Sequence, residues 1–267
     1  MHPIEHLRYV ARAHGADPAS LVRETAHAMS SMRFDPSGLV VACRRVVERH
    51  PECGPLWWLC AHLLTAQEPF QLAWKLADEI DDDATADALG AAIPDDAVVV
   101  TVGWTDICAR ALSRRGDVTV LVVDSRHHGS SMMQRLERHD VPCELVQAEA
   151  IGRAVPAADI VIVEAHAASS EQVVAPIGSA AVAAVAATCG VPVWLVAGVG
   201  RRLPRDLVAA IDARVAKTDD PWQLDTDVFS TAGITHVVGV GGLAVASPEA
   251  LVAECPMVPE LLRVSAI

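Results

Sequence analysis

The sequence predicts an α/β protein, an N-terminal helical domain followed by a Rossmann-like, doubly wound, mostly parallel sheet. Three observations carry this expectation. Hydrophobic residues make up 52% of the 267 and charged residues 21%, which supplies apolar material for one large or two modest cores. Up to about Ala92, apolar residues recur at helical spacing. After Pro94-Asp95-Asp96, β-branched apolar runs alternate with helical segments. Strands that are apolar throughout belong to a parallel sheet covered on both faces. The domains expected are therefore residues 1–94, helical, and 95–267, α/β.

In chain order, Ile4, Leu7, Val10 and Ala11 repeat with helical period, and Gly15 with Pro18 ends that segment. Ser20 opens a helix to about Met32. Asp35-Pro36-Ser37 is a turn before a helix over Leu39–His50, and Pro51 and Gly54-Pro55 break the chain again. Leu56–Ala66 and Pro69–Ile80 follow, the second carrying Phe70, Ala73, Trp74 and Ala77. Asp81-Asp82-Asp83 reads as a solvated loop opening a short helix through Ala91, where the dipole favours acidic residues. Trp57-Trp58 are expected to anchor the helical part to the α/β part. Strands are expected at Ala97–Val102, Val118–Val123, Glu144–Gln147, Ile160–Glu164, Val193–Val196 and Val237–Val240. Helices fall at Asp106–Arg115, Ser131–His139, Ala180–Cys189 and Arg205–Ala216. The glycines of Gly239-Val240-Gly241-Gly242 read as close packing at the last strand.

Charge narrows the function. The formal net charge is −13, from 34 acidic and 21 basic residues. Residues 1–95 hold 8 cations and 14 acids, and residues 96–267 hold 13 and 20, so neither half is basic. A nucleic-acid partner needs a basic face and is not expected. The seven cysteines are odd in number and form no CxxC pair, as expected of reduced thiols in a cytoplasmic protein. MHPIEHLRYVARAHG lacks the apolar stretch of a signal peptide, and the apolar run Ala180–Thr188 is too short to cross a membrane.

In a doubly wound sheet, ligands sit beyond the carboxyl ends of the strands. That rule selects Gly103, Trp104, Thr105 and Asp106 after the first strand, and Asp124, Ser125, Arg126, His127, His128 and Gly129 after the second. It also selects Glu164, Ala165 and His166 after the fourth, then Gly178 and Ser179 at the mouth of a helix, and Gly198 to Arg202 after the fifth. Free N–H groups at Gly178-Ser179 favour a phosphate, to which Arg126 can add a bidentate contact. Asp124 serves equally well as a turn cap. No GxGxxG follows the first strand and no GxxxxGK[ST] occurs, so no nucleotide cofactor is expected. The adjacent His127-His128 point apart, and Asp106, Asp225 and Asp227 lack ligand spacing, so no metal is expected. Histidine ordinarily titrates near neutral pH, so His166 is the candidate acid–base residue.

The order of these loops resembles the translation initiation factor 2B α/β/δ superfamily, which includes methylthioribose-1-phosphate and ribose-1,5-bisphosphate isomerases. Asp124-Ser125-Arg126 is similar to the family's D-S-R-P, with His127 in place of proline. Val163-Glu164-Ala165-His166 stands where the family has G-A-D or G-A-E. Val174 to Ser179 resembles N-K-I-G-T, and Gly190-Val191-Pro192-Val193-Trp194 resembles the following strand. Thr101-Val102-Gly103-Trp104-Thr105 resembles T-[IL]-x-x-S. The resemblance covers roughly residues 95–245 well and 1–94 in outline. It implies a homodimer and a small phosphorylated ligand.

The departures bear on function. The resemblance assigns the isomerases' catalytic cysteine to the position of Gly103 and their aspartate to His166. The N-K pair reads Ala175-Pro176, and R-P-T reads Gly54-Pro55-Leu56. Aldose–ketose conversion needs a placed acid and base. The expectation is therefore a divergent, non-catalytic member that binds a phosphorylated sugar or nucleotide, or acts as an assembly module, or both. The alternative is a sugar-phosphate isomerase with His166 as base; a third reading is another enzyme, such as a transferase, on the same scaffold. Nucleotide exchange in translation is not favoured, because the resemblance does not extend to the exchange-catalysing subunit.

Overall fold

The structure is a computed structural model that describes residues 17–30, 38–217 and 220–263. The expected helix around Ile4–Ala11 with its stop at Gly15, the stretch to Met32 and the Asp35-Pro36-Ser37 turn lie outside the described residues. Among the described residues, five helices come first: α1 (Pro18–Ser30), α2 (Leu39–Arg49), α3 (Gly54–Thr65), α4 (Pro69–Asp81) and α5 (Thr85–Ala92). Pro55 and Pro69 stand in the first turns of α3 and α4, where a missing N–H costs nothing. Leu56 to Ala61 are buried without a break, so α3 is apolar on every side and forms the axis of the helical part.

That core does not stop at the domain boundary. Leu56, Trp57, Trp58 and Leu59 share one cluster with Ala167, Val174, Leu203, Leu207, Val208 and Ile211 of the α/β part. Trp57 donates its indole N–H to the Pro51 carbonyl at 2.9 Å, and the Arg214 guanidinium lies 4.8 Å from its ring centre. Gly200 packs on the Trp58 ring. Gly54 donates its N–H to the His166 carbonyl at 3.1 Å, and a Cβ on Gly54 would overlap that oxygen. A glycine is what allows the two backbones this close approach.

The α/β part runs β1 (Val98–Val102), α6 (Asp106–Leu112), β2 (Thr119–Asp124), α7 (Gly129–Glu137), β3 (Cys143–Gln147), α8 (Ile151–Ala154) and β4 (Ile160–Glu164). It continues with β5 (Ala167–Ala168), β6 (Gln172–Pro176), α9 (Ser179–Cys189), β7 (Val193–Val196), α10 (Arg205–Val215), β8 (Thr226–Ser230), β9 (His236–Gly239), β10 (Gly242–Val245) and α11 (Pro259–Leu262). The main sheet has seven strands in the order β10-β9-β7-β4-β1-β2-β3, parallel except for β10. One apolar cluster, with Ile107, Leu112, Met132 and Leu136, covers one face. Another, with Ile151, Val155, Val182 and Ala186, covers the other. The chain leaves β1 toward β2 and β3, then returns to place β4 on β1's other side. The topological switch point therefore lies between β1 and β4.

Three expectations are corrected. A second, antiparallel sheet, β5-β6-β8, occupies part of the region read as loop. Pro176 ends β6, which is why the strand did not read as one. Gly239 to Gly242 is the tight turn of the β9–β10 hairpin, with Gly239 opposite Gly242; the glycines serve the turn, and a Cβ on Gly241 or Gly242 would meet open space. Asp83 is more than a solvated loop residue. Its Oδ1 accepts from the Thr85 N–H at 2.9 Å, and its Oδ2 accepts from the Val199 N–H at 3.1 Å, tying α5 to the loop after β7.

Candidate functional site

The residues at the carboxyl ends of the strands form two neighbouring groups. The first lies over β1, β2 and α9. Gly103 turns the chain out of β1 with φ 59°, donates its N–H to the Val123 carbonyl at 3.0 Å, and lies against His128. Gly178, with φ 97°, sits against Ser125 and Val102. Asp124 accepts the Gly129 N–H at 3.0 Å and so closes the turn into α7, as the capping reading expected.

Here a residue that the sequence argument set aside occupies the anion position. Asp227, on β8, accepts from the Gly178 N–H at 2.8 Å and the Ala180 N–H at 2.9 Å. Gly178 is one of the two backbone donors expected to hold a phosphate, and a carboxylate from the chain engages it together with the neighbouring Ala180 N–H. Arg126 is committed elsewhere as well. With φ 50° at Arg126 and 64° at His127, the loop turns left-handed and swings the guanidinium across to the segment before β8. There it pairs with Asp225 Oδ1 at 3.0 Å and donates to the Trp222 carbonyl at 3.3 Å and to the Gln223 side chain. Ser179 Oγ is buried and has no hydrogen-bond partner.

The second group fills the switch point. Glu164, at the end of β4, is 4% exposed, yet it carries a charge at the end of a strand that is otherwise apolar. Arg201, in the loop after β7, pairs with its Oε1 at 2.9 Å and also donates to the Ala165 carbonyl. The Cys108 N–H, in the first turn of α6, donates to its Oε2 at 2.9 Å. Both partners of this ion pair are therefore buried and hydrogen-bonded. Burial, then repulsion from Glu164, raises the Asp106 carboxyl above its usual range; Trp104, 38% exposed at the lip, donates its indole N–H to Asp106 at 3.1 Å. Burial and Glu164 likewise push the Cys108 thiol well above its ordinary value, so the sulfur stays protonated and is a poor nucleophile.

His166 faces a third environment. Its backbone N–H donates to the Val174 carbonyl at 2.7 Å, and its carbonyl meets Gly54. Burial, and then Arg201, hold its imidazole down to about 4. It is neutral at pH 7 and a weak base. Thr105 is buried beside Cys108. The structure thus brings Gly103, Ser125 and Gly178 together, pins Asp124 and Arg126 to local partners, and leaves Gly103 without a side chain for chemistry. Asp227, Glu164 and Arg201 shape the crevice; from sequence, Glu164 and Arg201 fall in the selected strand-end loops without an assigned role, and Asp227 is set aside as lacking metal-ligand spacing. Only Glu164 left a signal, as the lone charge ending the run Ile-Val-Ile-Val-Glu.

Among the described residues, no His, Cys, Asp and Glu grouping could hold a metal ion, and no helix is long and apolar enough to cross a membrane. Residues 67–211 match the model of the initiation factor 2 subunit family. No curated protein sequence matches the chain. Among solved structures, it is similar to the translation initiation factor eIF-2B of Pyrococcus horikoshii OT3 at 15% identity and a TM-score of 0.76, covering 93% of this chain and 98% of that one. It is also similar to a chain of the tetrameric eIF2B-beta2-delta2 complex of Chaetomium thermophilum, at 14% identity and a TM-score of 0.73 over 91% and 90% of the chains. The Chaetomium eIF2B delta gives 18% identity and 0.71, over 89% and 96%. At such identities the likeness is one of fold.

Proposed function

This chain belongs to the initiation factor 2 subunit family, and on that premise we propose that it is a non-catalytic member whose role is assembly, as a cytoplasmic homodimer. One observation carries the reading: Gly178 and Arg126, two of the donors expected to hold a phosphorylated substrate, are engaged by the chain's own carboxylates, as are the nearby Ala180 and Arg201. Gly178 and Ala180 serve Asp227, Arg126 serves Asp225, and Arg201 serves Glu164. Displacing these partners costs any incoming anion their replacement, and a net charge of −13 offers no compensating field. Chemistry is disfavoured on the same page. The Gly103 position carries no functional group, the Cys108 thiol is held protonated, and His166, held down to about 4, is a weaker base than an ordinary histidine. The tetrameric eIF2B-beta2-delta2 complex in which a Chaetomium relative occurs supports the assembly reading.

A second reading, a small phosphorylated ligand bound beside Gly178, is favoured by one feature, the buried Ser179 hydroxyl without a partner. The test treats both. The purified protein is incubated with ribose 1,5-bisphosphate and with methylthioribose 1-phosphate, ketose formation is followed, and thermal unfolding is recorded with each and with nucleotides. The proposal expects no turnover, no shift, and a dimer mass by light scattering. Turnover overturns it; a saturable shift without turnover replaces it with the ligand-binding reading.

A further inference from the structure

The free edge of the main sheet is built to be covered. β10 ends the strand order, and its pairing with β9 uses one side only. Gly239 and Gly242 flank a two-residue turn, and the Ala246 N–H donates to the Thr235 carbonyl at 2.9 Å. Hydrogen bonding alternates along an antiparallel pair, so Ala244 faces β9 and the N–H and C=O groups of Leu243 and Val245 face outward. Their side chains are exposed too, at 38% and 71%, with Val240 at 50% on the turn. Leu243, Ala244 and Val245 are all on the surface, and α5 packs against the same hairpin without covering them.

Soluble proteins protect such edges with lysine, proline, an inward charge or a bulge. Apart from the shortness of β10, four residues long, this edge has none of these. From Val228 through Ser247 the sequence contains no Asp, Glu, Lys, Arg or Pro. The absence of charge also selects the occupant. Two copies of a chain of net charge −13 repel over most of their surfaces, and a partner chosen for its positive charge would be read by acidic faces. An uncharged strand is where two acidic copies can meet with no like charges placed directly in the contact. An antiparallel strand is also its own complement about a two-fold axis, which is the symmetry of the commonest homodimers.

We propose that β10 pairs antiparallel with β10 of a second copy of this chain, joining the two seven-stranded sheets across a two-fold axis through Leu243 and Val245. This rests on the assembly reading and supplies its surface. The test measures the mass of the full chain by multi-angle light scattering and sedimentation velocity, for wild type, Val245→Lys and Val245→Pro. The lysine places like charges face to face; the proline removes one outward N–H. Neither touches a buried group, and circular dichroism and the melting temperature report that each still folds. The expected result is a dimeric wild type and a dissociation constant raised at least about 100-fold in both variants, with the Leu243 and Val245 amides protected from hydrogen exchange in the wild-type dimer alone. If wild type and both variants are equally dimeric, β10 is not the interface and the assembly reading stands without it. A monomeric wild type overturns both.

Discussion

The buried Glu164–Arg201 pair makes the sharpest demand on stability. Replacing Glu164 by Gln keeps the shape and an acceptor oxygen but removes the negative charge, leaving the Arg201 guanidinium, 5% exposed, without a counter-charge. Losing one hydrogen bond to a charged group costs about 1.5–3 kcal/mol. Stranding a buried charge costs about 3–5 kcal/mol. The glutamine still accepts one bond, so a loss of about 3 kcal/mol is the central expectation. At about 2–4 °C per kcal/mol for a chain of this size, the melting temperature falls by about 6–12 °C. The measurement is calorimetric melting at pH 7, with urea titration for the free energy. The control is Glu164→Leu combined with Arg201→Met, which removes both charges and recovers most of the loss, since a buried pair is often replaced by apolar residues without net cost. A Glu164→Gln loss under about 0.5 kcal/mol would refute the placement of the pair in a dry crevice. So would a double variant no better than the single one.

Other perturbations follow from the same geometry. His166 is held down to about 4, while an unfolded histidine sits near 6.5. The unfolded chain therefore binds the extra proton between these values, and stability present above pH 6.5 is lost as pH falls toward 4, by about 3 kcal/mol at about 1.4 per unit; His166→Asn flattens that part of the urea-midpoint profile. Asp227→Ala removes the acceptor of two α9 N–H groups, costs about 1–2 kcal/mol in thermal unfolding, and gains a stabilising response to millimolar phosphate that wild type lacks. Gly54→Ala forces a Cβ onto the His166 carbonyl and costs about 1–3 kcal/mol in chemical denaturation. Cys189, exposed, reacts with a thiol reagent in the native protein, whereas Cys43, Cys60 and Cys108, fully buried, react only on unfolding.

The sequence by itself determined the class of fold. Apolar strands such as Val98–Val102 and Ile160–Glu164 are buried along their length, and a pattern of that kind is local to each segment. It also determined which loops stand at the strand ends, because a parallel sheet sends all of them to one side. The short antiparallel sheet was harder to read: β5 has two residues and β6 ends in proline. What the groups in those loops bond to is decided only by the tertiary structure. Arg126 reads as a phosphate ligand until Asp225, 99 residues on, is found beside it. Gly178-Ser179 reads as an open anion cradle until β8 brings in Asp227. Arg201 and Glu164 are unremarkable apart and form one buried ion pair together. Local patterning fixes where a side chain starts. Whether its charge or hydrogen bond is free for a ligand depends on groups distant in sequence, and only the folded chain brings those within reach.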